Sequence, residues 1–121
     1  SYMKTLSEAR PSHREQKSSE FMAVSDADKL DAMGAVGIAR VFTYGGYHHR
    51  PIYDPNIPPN PNISREEYMT TEGPSINHFY EKLLKLKNMM YTEYGKRLAL
   101  DRHCFLEDYL ERFYAEWEGK K

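Results

Sequence analysis

The chain has 121 residues, enough for one domain with a hydrophobic core but too few for two independent domains. Acidic and basic residues nearly cancel to a formal net charge of −1, which disfavours binding to polymeric nucleic acid or to an anionic membrane. The single cysteine excludes an intrachain disulfide, and no apolar run reaches the roughly 20 residues that span a bilayer. Without a signal-peptide pattern either, the sequence predicts a cytoplasmic protein.

The N-terminal part of the chain changes character at residue 18. Residues 1–17 are polar and basic with no periodic apolar face, so we expect a mobile segment. Residues 18–44 are dense in Ala, Val, Met, Leu, Ile and Phe, and Gly45 and Gly46 follow as a helix stop. The interior glycines Gly34 and Gly37 indicate a buried central helix that neighbouring elements approach closely.

The second half of the chain alternates between a loop and helices. Residues 45–74 contain six of the seven prolines, which predicts a long loop that acts as a lid or a site wall, or else is disordered. Residues 75–119 are predicted to form two helices, capped by Ser75 and Thr92 and ended by Gly119. Their predicted inward residues are Ile76, Phe79, Leu83, Leu86 and Met90, then Leu98, Phe105 or Leu106, Tyr109, Phe113 and Trp117. No strand pattern competes, so the predicted fold is all-α.

Three carboxylates, Asp26, Asp28 and Asp31, stand inside the most apolar helix. An ionised group there costs several kcal/mol unless it is paired or binds a metal. At about 100° per residue, Asp28 lies in the middle of a stripe of small and apolar residues, Asp31 lies at its edge, and Asp26 points nearly the opposite way. The stripe contains Val24, Asp28, Asp31, Ala32, Ala35, Ala39 and Phe42.

Two interpretations of Asp28 follow. Small neighbours leave room for an ion and its waters, so Asp28 is the candidate metal ligand, with Asp31 supporting it through a hydrogen bond to a water or to a ligand histidine. The alternative is a buried salt bridge between Asp28 and a Lys or Arg from another helix. For Asp26 the expected role is capping, a salt bridge or contact with another element.

The segment from Asp26 to Gly46 resembles the stretch that follows the His-Asp motif in bacterial-type HD-domain phosphohydrolases. The resemblance resumes at Arg50-Pro-Ile-Tyr-Asp-Pro55, at His78-Phe-Tyr-Glu-Lys-Leu-Leu-Lys-Leu86, at Thr92 and at 99–103, and covers about four fifths of the chain. It implies an all-helical bundle in which a His, a His-Asp pair and a final Asp hold a divalent metal. The family's Ala-Asp-Arg/Lys-Leu pattern, which is similar also to that of alarmone hydrolases, falls on 27–30 and implies that Asp28 is the final ligand.

The rest of the implied ligand set is missing from the sequence. None of the five histidines is followed by Asp, so the other ligands would lie upstream of Ser1 and the chain looks like the C-terminal portion of one HD-type domain. Either the protein is truncated or cleaved, or its N-terminal half is not included in the sequence. An oxygen ligand beside imidazoles suits Mn²⁺, Mg²⁺, Co²⁺, Ni²⁺ or Fe²⁺. We expect an upstream segment, or another chain, to cover the central helix.

Candidate phosphate-binding residues are Lys29, Arg50, His78 and Lys82. Arg50 offers a guanidinium fork suited to phosphate, and His78 and Lys82 lie four residues apart on one helical face. The neighbouring pair of histidines, His48 and His49, binds phosphate or metal in one interpretation and is simply exposed in the other.

Four residues of the last predicted helix are expected to support the fold rather than the site. Arg97, Arg102 and His103 are expected to form interhelical ion pairs, and Cys104 is expected to be a small buried residue.

The sequence leads to two functional hypotheses. The first is a metal-dependent phosphohydrolase of a small phosphorylated metabolite, a nucleotide being the favoured class, with catalysis expected of the complete protein because this chain lacks the His-Asp motif. The alternative is an inactive helical binding or oligomerisation module derived from an HD domain.

Overall fold

The computed structural model describes residues 18–70 and 73–121, which contain helices and no strand. The predicted mobile segment 1–17 lies outside the described residues. The helices are α1 (Ser19–Met33), α2 (Ala35–Tyr47), α3 (Arg65–Thr70), α4 (Asn77–Glu81), a 3₁₀ helix (Leu83–Met89) and α5 (Glu93–Trp117). The all-α fold class predicted from the sequence is therefore confirmed.

The predicted central helix is in fact two helices that meet at Gly34, so the prediction of one element was wrong. Gly34 has an extended backbone, with φ −87° and ψ −165°. Arg102 of α5 packs against it, and the Arg102 guanidinium donates a hydrogen bond to the Leu30 carbonyl oxygen in the last turn of α1. The Arg102 side chain thus supplies a hydrogen bond at the point where the helix is interrupted. This contact comes from a distant helix, so the sequence pattern did not indicate the interruption.

Gly45 and Gly46 do not end the helix, because α2 continues to Tyr47. A Cβ at Gly45 would collide with the side chain of Ser75, which is buried. Gly45 is therefore needed for close packing rather than as a stop signal. Ser75 makes this contact and does not cap α4, which has no side-chain cap.

The proline-rich segment contains a short helix, α3, that we did not predict. The Ser64 hydroxyl accepts from Glu67 N at 3.1 Å, and the Glu67 carboxylate accepts from Ser64 N at 3.2 Å. This reciprocal pair is a capping box, and its Ser-x-x-Glu signature was present in the sequence. The loop also packs onto the bundle, since Asn77 donates to the Ile57 carbonyl at 3.0 Å.

The second predicted helix is broken at Lys82 into α4 and the 3₁₀ helix. Its periodic apolar positions nevertheless all lie in the core, namely Ile76, Phe79, Leu83, Leu86 and Met90. Periodicity therefore identified the buried face even though the backbone between its turns is irregular.

The last helix begins as predicted, because the Thr92 hydroxyl accepts from Gly95 N at 2.9 Å. After α5 ends at Trp117, Gly119 adopts φ +77°. Of the two alternatives for the inward stripe, Leu106 is fully buried and Phe105 is 46% exposed, so Leu106 is the inward residue. Trp117 is 53% exposed and was wrongly assigned to the stripe.

The Tyr80 and Tyr114 hydroxyls are 2.8 Å apart and join the end of α4 to α5. Replacing Tyr114 with Phe should lower the free energy of unfolding by about 1 kcal/mol, because the Tyr80 hydroxyl then loses a half-buried partner. Urea unfolding of both proteins measures this. Tyr94→Phe, on an exposed ring, is the control and should change stability by less than about 0.5 kcal/mol.

Candidate functional site

Asp26, not Asp28, is the buried carboxylate of α1. It is 3% exposed, and its Oδ1 accepts from Tyr91 N at 2.9 Å. Its Oδ2 accepts from Thr92 N at 2.8 Å and from Thr92 Oγ1 at 2.6 Å. A Cβ at Gly95 would collide with this carboxylate, so glycine there permits its approach to the start of α5. Contact with another element, one of the three roles expected for Asp26, is thus confirmed.

The charge of Asp26 is stabilised where it lies. Burial on its own raises the pKa of the carboxyl, but the hydrogen bonds from the Thr92 hydroxyl and from the Tyr91 and Thr92 backbone outweigh it, and the pKa falls below its usual value. An ionised Asp26 beside the N-terminus of α5 also interacts favourably with the helix dipole.

Asp28 and Asp31 are exposed on the opposite side of α1. Within the described residues, the buried face of α1 carries Ser25, Asp26, Leu30 and Met33, and not the Asp28 stripe. Around Asp28 the surface is small and apolar. On α1 its exposed members include Val24 and Ala27, whereas the exposed residues Ala35, Val36 and Ala39 belong to α2, beyond the break at Gly34.

The exposure of Asp28 bears on both interpretations of this residue. No ion pair joins Asp28 to a Lys or Arg within residues 18–70 and 73–121, so the buried salt bridge is not formed there. Those same residues contain no group of three or more His, Cys, Asp or Glu side chains placed to hold a metal ion. The described part of the chain therefore does not fit a metal centre by itself. Asp28 could be only one of several ligands of such a centre.

A cleft of about 600 Å³ opens between α2, α3 and α4. It brings together His78 and Lys82, two of the predicted phosphate-binding residues. It also contains Arg40 and Arg65, which sequence reasoning missed because they are distant in the chain and belong to no shared motif. Three cationic side chains therefore line one concave surface.

The cleft lies close to Asp28 along α1. Ala32 lines the cleft, and Asp28 precedes Ala32 by four residues. That spacing corresponds to about 6 Å along the helix axis and about 40° around it. Asp28 therefore lies about one helical turn from the edge of the cleft, although it does not line it.

Arg50 is buried behind the cleft and holds its wall together. Its guanidinium carbon lies 5.0 Å from the Tyr44 ring centroid and 4.9 Å from that of Tyr68, and it donates to the Tyr68 carbonyl oxygen at 3.3 Å. The Tyr68 ring stacks in turn on His78, with centroids 4.5 Å apart. This cation–π arrangement fixes α3, which buries no residue of its own, against the bundle.

His78 should remain a neutral imidazole at physiological pH. Burial, then the charges of Lys82 and Arg50, lower its pKa to about 4. We expect NMR titration of the histidine ring protons to show no midpoint for His78 above about pH 5, whereas a midpoint near pH 6.5 would contradict this. Because the unfolded chain takes up this proton at higher pH than the folded chain, stability should fall as the pH drops from about 6.5 toward 4.

Other predicted residues lie outside this cleft. Lys29 donates to Ser25 Oγ at 2.7 Å and to the Met89 carbonyl at 3.3 Å, so its ammonium joins α1 to the 3₁₀ helix. His48 and His49 are exposed, and His49 has a positive φ of 58°. Arg50 does not line the cleft itself but packs against Tyr44 and Tyr68, which do.

The structural interpretations of the last helix need correction. Cys104 is exposed, not buried, and Arg102 bonds a backbone carbonyl rather than a carboxylate. His103 faces Glu107 of its own helix at 3.6 Å, so this pair is not interhelical. Among the described residues, Arg97 forms no ion pair.

No helix in the described part of the chain is both long enough and apolar enough to cross a membrane.

Comparison with known proteins places this fold among HD-superfamily relatives, although no protein-family model matches the chain. A Lactobacillus plantarum protein of known structure is 46% identical with a TM-score of 0.76, covering 85% of this chain and 51% of that one. An HD-superfamily hydrolase from Bacillus thuringiensis is 42% identical with a TM-score of 0.71, covering 97% and 63%.

The third relative is the uncharacterised protein YpgQ of Bacillus subtilis. It is 36% identical over 106 residues, which are 88% of this chain and 44% of YpgQ. YpgQ in complex with ADP superposes with a TM-score of 0.64, covering 82% of this chain and 44% of that one. This chain thus spans between 44% and 63% of the length of these proteins and shares the all-helical fold of an HD-superfamily hydrolase.

Proposed function

We propose that the complete protein is a metal-dependent phosphohydrolase of the HD type that acts on a nucleotide. The observation that carries the proposal is Asp28, an exposed carboxylate in a small, apolar surface, on a fold similar to that of an HD-superfamily hydrolase. Exposed carboxylates normally need no explanation. This one occupies the position that the Ala-Asp-Lys-Leu resemblance assigns to a metal ligand.

The remaining metal ligands would come from outside the described residues. The apolar surface around Asp28 includes Val24, one helical turn away, which is 50% exposed. Such a surface is the kind that a further helical segment covers. We propose that the covering segment supplies the His and His-Asp ligands, with Asp31 hydrogen-bonding a ligand or a water beside the ion. A bound divalent ion would polarise a phosphoryl group and lower the pKa of a water.

The cleft supports a phosphorylated substrate. Arg40, Arg65 and Lys82 can balance the negative charge of phosphate groups, and a guanidinium can bond two phosphate oxygens at once. The relative YpgQ has been solved in complex with ADP, which favours nucleotides as the first class to test.

A hydrolysis assay tests this proposal. The full-length protein should be incubated with Mn²⁺ and a panel of nucleoside mono-, di- and triphosphates, with phosphate and pyrophosphate release measured separately. We expect hydrolysis of at least one nucleotide, abolished by EDTA and restored by excess Mn²⁺. Absence of hydrolysis with Mn²⁺, Mg²⁺, Co²⁺, Ni²⁺ and Fe²⁺ would favour the inactive binding module.

A further inference from the structure

The cleft holds more positive than negative charge. Glu81 is its only carboxylate among the described lining residues, and its Oε2 accepts a hydrogen bond from Asn60 N at 2.9 Å. Arg40, Arg65 and Lys82 form no ion pair within residues 18–70 and 73–121. Three cations are thus available to an anionic ligand.

His78 stands among these charges with an unused hydrogen-bonding atom. Its Nδ1 is buried and has no hydrogen-bond partner in the described structure. Stacking on Tyr68 fixes the orientation of its ring. Ionisable groups from each neighbouring element surround the His78 ring. They are Arg40 and Tyr44 of α2, Arg50 of the following loop, Arg65 and Tyr68 of α3, Glu81 of α4, and Lys82.

A bound phosphate would reverse the electrostatic surroundings of this imidazole. In the empty cleft, nearby cations oppose a positive charge on His78. A phosphate group that contacts Lys82 and Arg40 would screen those cations and attract an imidazolium. The half-buried ring would then gain a counter-charge that residues 18–70 and 73–121 do not provide.

We propose that this cleft binds the phosphate groups of the substrate, and that His78 takes up a proton when they bind. The choice of phosphate as ligand rests on the proposed function; the coupling to a proton rests on the cleft. Because protonation of His78 and phosphate binding are linked, the affinity for the phosphate ligand should increase about tenfold as the pH falls from 7 to 5. This increase is in addition to the change caused by protonation of the ligand itself.

The test is calorimetry of the full-length protein with inorganic pyrophosphate, in EDTA so that no metal contributes. Titrations at pH 5.5 in two buffers of different ionisation enthalpy give the number of protons taken up. We expect the wild type to take up about one more proton per pyrophosphate than His78→Gln, whose amide keeps polarity but does not titrate. The subtraction removes the proton exchange of pyrophosphate itself.

Matched lysine variants test the location. Lys82→Ala should weaken pyrophosphate binding about tenfold, as expected for loss of one charge-assisted contact. Lys96→Ala removes the same charge from α5, outside the cleft, and should change the affinity by less than about twofold. Circular dichroism and thermal unfolding check that each variant is folded.

Equal proton uptake by wild type and His78→Gln would overturn the coupling, and equal effects of Lys82→Ala and Lys96→Ala would overturn the site. If His78→Gln does not fold, NMR of the wild type replaces it: pyrophosphate should raise the His78 midpoint by about two pH units, and an unchanged midpoint would overturn the proposal. Binding without proton uptake would refute this inference and leave the Asp28 assignment standing. Loss of hydrolysis in Asp28→Ala is a separate result that does not depend on His78.

Discussion

Replacing Asp28 with Ala in the full-length protein should lower kcat/KM for the nucleotide substrate by at least about a thousandfold while leaving the helical content unchanged. The metal contributes several kcal/mol of transition-state stabilisation, and each 1.4 kcal/mol corresponds to a factor of about ten. Stability should barely change, since the Asp28 side chain is exposed and forms no ion pair within the described part of the chain. Initial rates with Mn²⁺ and circular dichroism measure the two effects.

The matched control for Asp28 is Glu20→Ala, which removes one exposed carboxylate from the same helix about two turns away. It should retain activity within about twofold, because it alters the charge of α1 without touching the Asp28 surface. Full activity in Asp28→Ala would refute the assignment of this residue as a ligand.

Replacing Asp26 with Ala should reduce stability, whereas Asp28→Ala should not. We expect a loss of about 2–3 kcal/mol in the free energy of unfolding. The substitution leaves Tyr91 N and Thr92 N without their acceptor and removes the charge from the start of α5. Urea unfolding measures the loss. A loss below about 0.5 kcal/mol would contradict the structural role of Asp26, and Asp28→Ala is the matched control on the same helix.

The pH dependence of unfolding gives a second test of Asp26. Its folded-state pKa lies below the ordinary value of 3.8, so its ionised form contributes stability above that pH. The contribution is lost as the pH falls through the folded-state pKa. Asp26→Asn should therefore unfold with a weaker dependence on pH below about 4 than the wild type.

Sequence periodicity identified which positions of α1 share a face, but not which face is buried. The 100° rotation per residue correctly separated Asp26 from Asp28. Both faces carry apolar residues, Leu30 and Met33 on one side and Val24 with several alanines on the other, so composition favoured neither. The partner of Asp26, the Tyr91–Thr92 backbone, is about 65 residues away and leaves no local signal.

Capping residues predicted where helices begin better than periodicity predicted whether a helix runs without interruption. Thr92 was recognised as a cap because a hydroxyl before an apolar run satisfies free backbone donors. The interruption at Gly34 depends on Arg102 of another helix, which no window of sequence contains. The sequence contains the Ser-x-x-Glu signature of the capping box at Ser64 and Glu67. The helix was not predicted because the surrounding prolines indicated a loop.

The candidate site was predictable only in part for the same reason. His78 and Lys82 were found because they are four residues apart on one turn. Arg40 and Arg65 come from different helices, and only the folded chain brings them to the same cleft. Arg50 was predicted to bind phosphate, whereas its buried guanidinium packs on the Tyr44 and Tyr68 rings and organises the wall of the cleft.

The most direct test of the central claim is to locate the metal. Crystals of the full-length protein grown with Mn²⁺ should be measured for anomalous scattering, alongside calorimetric Mn²⁺ binding by wild type and Asp28→Ala. We expect one Mn²⁺ about 2.2 Å from an Asp28 carboxylate oxygen, and Mn²⁺ affinity at least about 100-fold weaker in Asp28→Ala. A bound Mn²⁺ whose ligands exclude Asp28, or an unchanged affinity in the variant, would contradict the account.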